Sequence, residues 1–148
     1  MAKFFYRMQN ILDVKLKLET QAKNEFAIAA AKVREEEEKQ HALENRRDEY
    51  EAALKELYEN KLDVLKIAET QNAVEIMKYQ INMQILNVRH AQKQFELARV
   101  KLQEAIKERK THEKLKEKEF EQFMLDEAAR ESKEIDELVS YRHGQNKE

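Results

Sequence analysis

The clearest pattern in the sequence is a repeat of seven residues between Val74 and Ala105. Apolar residues recur at two positions of each heptad, with Gln84 as the single polar exception, and neither Gly nor Pro interrupts the stretch. The pattern predicts one long helix with a coiled-coil seam that must be buried against a second helix. The seam positions are Val74, Met77, Ile81, Gln84, Val88, Ala91, Phe95, Ala98, Leu102 and Ala105.

A second, less regular seam runs through the N-terminal part of the chain. It begins at Phe5 and Met8 and ends at Leu54 and Leu57. Because a polar group in a seam is tolerated only opposite a group that satisfies it, the polar interruptions are expected to specify register and partner. These interruptions are Lys15, Glu19, Glu36, Gln40 and Arg47.

The heptad frame is lost between Glu59 and Asn72, where we place a reversal of the chain. The sequence therefore predicts an all-α fold of two long helices that form an antiparallel coiled-coil hairpin. We expect one rod-like domain over residues 1–148, with a helix over about 2–58, a corner over about 59–72, a helix over about 73–140 and a frayed tail over 141–148. Gly144 is expected to end the second helix if it has not already stopped.

Charge supports the antiparallel arrangement. A reversal near residue 67 would place a basic N-terminal segment opposite an acidic segment near the C-terminus. A parallel homodimer would instead stack like charges such as Glu36 on Glu36, so we expect a monomer when the chain is free. The predicted pairs are Glu36 with Arg99, Lys15 with Glu119, and Glu19 with Lys116.

Composition narrows the possible functions. Charged residues make up 39% of the chain and Trp is absent, which leaves too little apolar material to wrap a core around a substrate cavity. The 28 basic residues do not exceed the 30 acidic ones, so a general nucleic-acid-binding protein is not predicted. There is neither a membrane-spanning apolar run nor a signal peptide, which predicts a protein kept in the cytoplasm.

The residue types used for catalysis and metal binding form no recognisable constellation. The four His residues lack metal-ligand spacing, Cys is absent, and there is no Gly-rich phosphate loop. The acidic run Glu35–Glu38 is interpreted as a solvated helix face, because adjacent carboxylates on a helix diverge. We therefore expect no catalytic residues, no cofactor, no metal site and no hydrolysis of ATP by the chain itself.

Three parts of the sequence resemble the flagellar export protein FliJ family. The opening FFYRMQNILDVK combines aromatic residues, an Arg and a helix rich in Leu and Lys, and DEYEAAL at Asp48 and YQ at Tyr79 lie on either side of the corner. The closing EKLKEKEFEQFMLDEAARESKEIDEL also resembles that family. The resemblance covers nearly the whole chain.

The resemblance implies a soluble, stalk-like component of the bacterial flagellar type III protein export apparatus, needed for flagellum biogenesis and motility. Members of this family are similar to the central stalk of rotary ATPases. The implied partners are the export ATPase hexamer, the export gate protein FlhA and export chaperones. The implied location is cytoplasmic, peripheral to the cell membrane at the flagellar base.

The resemblance also implies two sets of partner-binding residues. The ATPase-ring set is Phe4, Phe5, Arg7, Phe120, Phe123 and Arg130, and the export-gate set is Leu43, Tyr50 and Leu86. Arg46 and Asn82 stand where the family can carry aromatic residues, which weakens the match at the gate surface.

The residues themselves leave other interpretations open. Tyr50 lies on the predicted seam and can be a core residue, and Phe4, Phe5 and Tyr6 cannot all face one seam. The alternatives for the whole chain are a homodimeric structural coiled-coil scaffold and a stalk subunit of a membrane rotary ATPase.

Overall fold

The computed structural model describes residues 2–146, which form two α-helices packed against each other. Helix α1 spans Gln9–Glu59 and helix α2 spans Val64–Asn146. They run antiparallel, and residues 2–146 contain no β-strand. The predicted all-α fold, an antiparallel coiled-coil hairpin, is confirmed.

Helix α1 begins later than predicted. Residues 2–6 have no regular structure, and the chain turns at residues 7 and 8 before the helix starts at Gln9. Successive helical residues point about 100° apart, so Phe4 and Tyr6 would point in opposed directions if this segment were helical. The non-helical segment lets both rings reach α2, where Phe4 packs on Phe120 and Tyr6 lies below the Lys116 ammonium group.

The corner between the helices is shorter than predicted and comes earlier. It consists of residues 60–63, whereas the sequence suggested about 59–72. The difference arises at Asp63, whose carboxylate accepts a hydrogen bond from the Lys66 backbone N–H at 3.3 Å. This is the geometry of a helix N-cap, so Asp63 starts α2 instead of disturbing a helix interior. Gln71 in turn donates a hydrogen bond to the Tyr58 hydroxyl at 2.6 Å.

Helix α2 also continues further than expected. It extends through Gly144 as far as Asn146, whereas the sequence suggested an end near residue 140. Gly144 does not adopt the positive φ of a C-cap glycine. A glycine inside a helix costs only about 1 kcal/mol relative to alanine, which does not stop a helix of this length. The part of the predicted tail at residues 147 and 148 lies outside the described residues.

The contacts divide the chain into two compact units. Unit 2 contains Gln21–Gln103 and holds most of the buried apolar residues. The rings of Phe26 and Phe95 pack with their centroids 5.0 Å apart. The predicted seam of α2 is confirmed throughout this unit, because each of its positions is buried or half-buried. The buried members are Val74, Met77, Ile81, Gln84, Val88 and Ala91.

Unit 1 contains the residues as far as Thr20 together with those from Glu104 onward. Its buried residues among those described are Tyr6, Leu12 and Glu19. The half-buried seam of α2 in this unit is made mainly of polar side chains, namely Arg109, His112 and Lys116. Every described residue from 131 to 145 is exposed. The sequence predicts that a less regular apolar seam resumes here, at Phe120, Phe123, Met124, Ala128, Ile135 and Leu138. Phe123 is half-buried, but the prediction was wrong for the other five, which are exposed.

The register of the hairpin differs from the predicted one. A corner that lies several residues earlier moves every residue of α1 opposite an earlier residue of α2. Three of the five polar seam residues of α1 meet groups on α2 that satisfy them, but those groups are not the predicted residues. The other two, Gln40 and Arg47, bond to Glu44 and Asp48 on α1 itself. The observed pairs are Glu36 with Gln84, Lys15 with Glu108, and Glu19 with Arg109.

Candidate functional site

Three phenylalanines form an aromatic cluster in unit 1. The ring centroid of Phe4 lies 5.2 Å from that of Phe120 in an edge-to-face arrangement and 5.4 Å from that of Phe123. Such aromatic pairs add about 0.5 to 1.5 kcal/mol beyond the area they bury. The cluster fixes the non-helical N-terminal segment against α2. Three of the six residues predicted to meet an ATPase ring are thus brought together.

Phe5 is separated from this cluster and points into solvent. Its side chain is 81% exposed, whereas Tyr6 next to it is 4% exposed. The sequence had placed Phe5 on the seam, and that assignment was wrong because Phe4 and Tyr6 take the positions that face α2. A large exposed aromatic side chain beside a fixed backbone is the type of residue that anchors protein interfaces.

The two arginines of the same predicted set lie in different surroundings. Arg7 is exposed at the turn before α1. Arg130 forms an ion pair with Glu127 one turn earlier on α2. Because this pair is exposed, it contributes little to stability and leaves the guanidinium group accessible.

Polar pairs replace apolar contacts along the seam of unit 1. The Arg109 Nε–H donates to a Glu19 carboxylate oxygen at 2.6 Å, and Arg109 Nη1 donates to Glu113 at 2.9 Å. The two carboxylates raise the pKa of the Arg109 guanidinium, Glu19 having the larger effect. Lys15 donates to Glu108 at 2.5 Å, which lowers the pKa of the Glu108 carboxyl. These pairs fix the register of α1 on α2 by charge.

Unit 2 also has a polar contact in its seam, at Glu36, which is only 6% exposed. Gln84 Nε2 donates to the Glu36 carboxylate at 2.5 Å and to the Glu36 main-chain carbonyl at 2.9 Å. The Lys32 ammonium group approaches the same carboxylate to 3.0 Å, and that of Lys39 to 3.5 Å. Together, and with the Gln84 hydrogen bond as the largest contribution, these groups lower the pKa of Glu36 to about 2.

The predicted gate-binding residues all lie in unit 2, but their exposure differs. Leu43 and Tyr50 are half-buried on the seam of α1, in agreement with the core interpretation of Tyr50. Leu86 is 54% exposed on α2 and is not a seam residue. Arg46 and Asn82 are exposed as well. Leu86 is therefore the predicted gate residue that is most accessible to a partner.

Comparison with known proteins places this geometry in a family. The family model described as flagellar FliJ protein matches residues 4–148. The chain belongs to the FliJ family. A FliJ protein is a component of a type III protein export apparatus, and family members are structural components of that apparatus. A comparison with curated protein sequences gives no match.

The fold of this FliJ-family chain also occurs in a solved structure. CT670 from Chlamydia trachomatis, described as a YscO homologue, superposes with a TM-score of 0.72. The match covers 98% of each chain at 23% sequence identity. At that identity the likeness establishes a shared fold, the two-helix hairpin.

Residues 2–146 of this FliJ-family chain were examined for membrane-spanning helices and for metal sites. No helix in that range is long and apolar enough to cross a membrane. The same range holds no group of three or more His, Asp or Glu side chains arranged to bind a metal ion.

Sequence reasoning missed one set of exposed residues on α2. Apolar side chains recur at heptad spacing on the side of α2 that faces away from α1, starting at Ile76 and ending at Val100. The signal was present in the sequence as a second repeat interleaved with the first.

Proposed function

We propose that this chain is a stalk-like component of the flagellar type III export apparatus, which engages the export ATPase ring through unit 1. A surface of unit 2 contacts the export gate protein FlhA. Export chaperones also bind this chain. Membership of the FliJ family supports this proposal. The chain would act at the cytoplasmic face of the cell membrane, peripheral to the membrane-bound machinery.

The observation that carries the ATPase contact is the outward position of Phe5. Its neighbours Phe4 and Tyr6 are held against α2, which fixes the backbone on either side of it. The 81% exposed ring is therefore presented without a large loss of conformational freedom on binding. Exposed Arg7, two residues further on, supplies a positive charge beside the ring.

Unit 1 offers additional apolar surface for the same contact. Phe120, Met124 and Leu125 are 45%, 52% and 65% exposed on neighbouring turns of α2. Phe123, which was predicted to meet the ring, is instead half-buried against Phe4. We therefore assign Phe4 and Phe123 to positioning, and Phe5, Phe120 and Arg7 to the contact itself.

An asymmetric stalk inside a ring affects the ring through unequal contacts. A ligand shifts a conformational equilibrium by the difference in its affinity for the two states. One chain that touches some subunits of a hexamer and not others stabilises different conformations in different subunits. The chain would thereby promote assembly of the ring and bias its ATPase cycle without catalysing a reaction itself.

The ATPase contact is tested with Phe5→Ala. We expect binding to the purified export ATPase to weaken on the order of 10-fold or more, because truncation of an interface aromatic commonly costs at least about 2 kcal/mol. The melting curve should not change, since Phe5 makes no aromatic contact with α2 among those observed. Equal binding by the variant and the natural chain would refute the contact.

A matched control is Tyr58→Ala at the end of α1. Tyr58 is an aromatic residue that is 51% exposed but belongs to unit 2. It should not affect binding to the ATPase. Equal losses for both variants would show that any exposed aromatic contributes, and would remove the assignment to Phe5.

The gate contact is tested separately with Leu86→Ala and the soluble domain of the gate protein. We expect weaker binding to the gate and unchanged binding to the ATPase. Leu62→Ala is the control, because Leu62 is an exposed leucine at the corner. If Leu86→Ala binds the gate normally, the gate surface lies elsewhere.

A further inference from the structure

Helix α2 carries a second heptad stripe on the side opposite its seam. We define the outer stripe as the eight positions Ile76, Tyr79, Met83, Leu86, His90, Lys93, Leu97 and Val100. They alternate in steps of three and four residues, which is the spacing of a coiled-coil seam. Ile81 of the seam and Met83 of the outer stripe are two residues apart, or about 200° around the helix. Helix α1 therefore leaves the outer stripe uncovered.

The outer stripe exposes several large apolar side chains on one helix face. Its six apolar members are between 41% and 67% exposed. Single exposed apolar residues need no explanation, but a contiguous row of them marks an interaction surface. The only polar members are the consecutive stripe positions His90 and Lys93, with four apolar members before them and two after them. All eight residues belong to unit 2.

We propose that a second copy of this chain docks antiparallel on the outer stripe, so that two α2 helices form a two-fold symmetric coiled coil. In such a dimer the same patch meets itself, and each contact occurs twice. The stripe fits this arrangement because its part from Met83 to Val100 is symmetric about a point between Ala91 and Gln92.

Between Met83 and Val100 the symmetric arrangement matches apolar residues with apolar residues, whereas Ile76 and Tyr79 lie beyond this part and face Lys107 and Glu104 of the second copy. Met83 faces Val100 of the second copy, and Leu86 faces Leu97 of the second copy. His90 of each copy faces Lys93 of the other copy at the centre of the interface. The polar members therefore face each other and not leucines. Polar layers at seam positions specify register and orientation in coiled coils.

Charged residues beside the stripe support the same register. Residues that flank an antiparallel seam face residues of the same heptad position on the other helix, which brings Arg89 opposite Glu96 of the second copy. The pair occurs twice and has opposite signs. On the other flank Asn87 faces Gln94, so two amides that can hydrogen-bond to each other meet. A parallel dimer would place Lys93 against Lys93 in the interface.

The expectation of a free monomer considered only the seam that α1 covers. The outer stripe adds a second seam, and its self-complementarity favours a dimer. Leu86 belongs both to this stripe and to the gate-binding residues of the proposed function. If the proposed function holds, dimerisation and gate binding exclude each other, and the dimer is a form of the chain that does not bind the gate. The dimer itself does not depend on the proposed function.

The first test is sedimentation of the purified full chain up to millimolar concentration. We expect a concentration-dependent shift from 17.7 kDa to twice that mass. Leu97→Glu should weaken the dimer on the order of 100-fold or more, because the charge is introduced twice into an apolar interface. Leu62→Glu, at an exposed leucine outside the outer stripe, should leave the dimer unchanged. Circular dichroism checks that both variants keep the helical fold.

The second test reads the orientation. The sequence has no cysteine, so single cysteines can be introduced at Leu86 and Leu97. A mixture of Leu86→Cys and Leu97→Cys chains should form a disulfide-linked dimer under oxidation. Each variant alone should form little, because two copies of residue 86, or of residue 97, do not face each other.

Three results would overturn the proposal. One is a chain that sediments as a monomer at every concentration. This includes the case in which the outer stripe binds a different protein and not a second copy. Another is a dimer that Leu97→Glu does not affect, which would place the interface elsewhere. The third is a disulfide formed by Leu86→Cys alone, which indicates a parallel dimer. None of these measurements uses the ATPase or the gate, so a failure here is distinct from a failure of the proposed function.

Discussion

Units 1 and 2 use the same heptad frame for different purposes. In unit 2 the seam buries aliphatic side chains such as Val74, Ile81 and Val88. In unit 1 corresponding positions are occupied by charged residues such as Glu19 and Arg109, which form an ion pair. A coiled coil can thus be stabilised by burial along one part of its length and aligned by charge along another. The polar part contributes less to stability and leaves apolar residues exposed.

The magnitudes of these interactions separate the two units. Full burial of a Val, Leu, Ile or Met side chain contributes about 1.5 to 3 kcal/mol. A charged pair that is partly accessible to solvent contributes about 0 to 1 kcal/mol. Among the described residues of unit 1, the Tyr6 hydroxyl oxygen and His112 Nδ1 are buried without a hydrogen-bond partner. Most of the free energy of unfolding therefore comes from unit 2.

The largest effect is expected from a charge placed in the apolar seam. Ile81→Asp should reduce the free energy of unfolding by about 3 to 5 kcal/mol, because it removes a buried aliphatic side chain and leaves a carboxylate without a partner. Ile28→Asp is the control, since Ile28 is 71% exposed, and should change stability by less than about 0.5 kcal/mol. Urea unfolding measures both, and similar losses would mean that unit 2 is not held together by its seam.

The next effect tests whether charge in unit 1 aligns the helices at a cost in stability. Arg109→Leu alone should destabilise the fold, because it removes the guanidinium group that binds the buried Glu19 carboxylate. Glu19→Leu combined with Arg109→Leu should restore or exceed the original stability, since apolar residues often replace such pairs without loss. A double variant that is no more stable than the single one would contradict this.

A smaller, pH-dependent effect is expected at Glu36 in unit 2. The folded-state pKa of about 2 lies below the ordinary value of 4.5, so the folded state favours the charged carboxylate. Its contribution to stability is fully present above pH 4.5 and is lost as the pH falls toward 2. Urea unfolding of the natural chain and of Glu36→Gln across this range should give curves that converge at low pH. A constant difference would show that the carboxylate charge is not involved.

The smallest effect concerns the corner, which belongs to unit 2. Asp63→Ala should cost about 1 kcal/mol, because it removes the N-cap hydrogen bond to the Lys66 backbone N–H. Asp63→Asn should cost only a few tenths, since asparagine caps nearly as well. Equal losses for the two variants would assign the effect to the charge of Asp63 rather than to the cap.

The parts of the fold that the sequence predicted are those set by a strict repeat. The ten seam positions of α2 between Val74 and Ala105 are all buried or half-buried. The corner was misplaced because Asp63 can end or start a helix, and only the contacts of its carboxylate decide between the two. An error of a few residues there changed every predicted cross-helix pair, including that of Glu36.

The candidate site was harder to predict for a different reason. Three adjacent aromatic residues offer several ways to face α2, and the non-helical backbone that selects Phe4 and Tyr6 has no signature in the sequence. The partner-binding roles of Phe5 and Leu86 follow from resemblance and exposure, and they stay predictions. The outer stripe, in contrast, could have been found by searching each helix for a second repeat.

The exposed final turns of α2 have a consequence for the kinetics of any contact made there. Residues 131–145 are all exposed, so their backbone hydrogen bonds are protected mainly by the helix itself. An isolated helix of this length is marginally stable in water. We expect its amide hydrogens to exchange with solvent much faster than those of unit 2. When a partner binds this segment, part of the binding free energy is offset by the entropy lost when the segment is ordered. This lowers the affinity and speeds release.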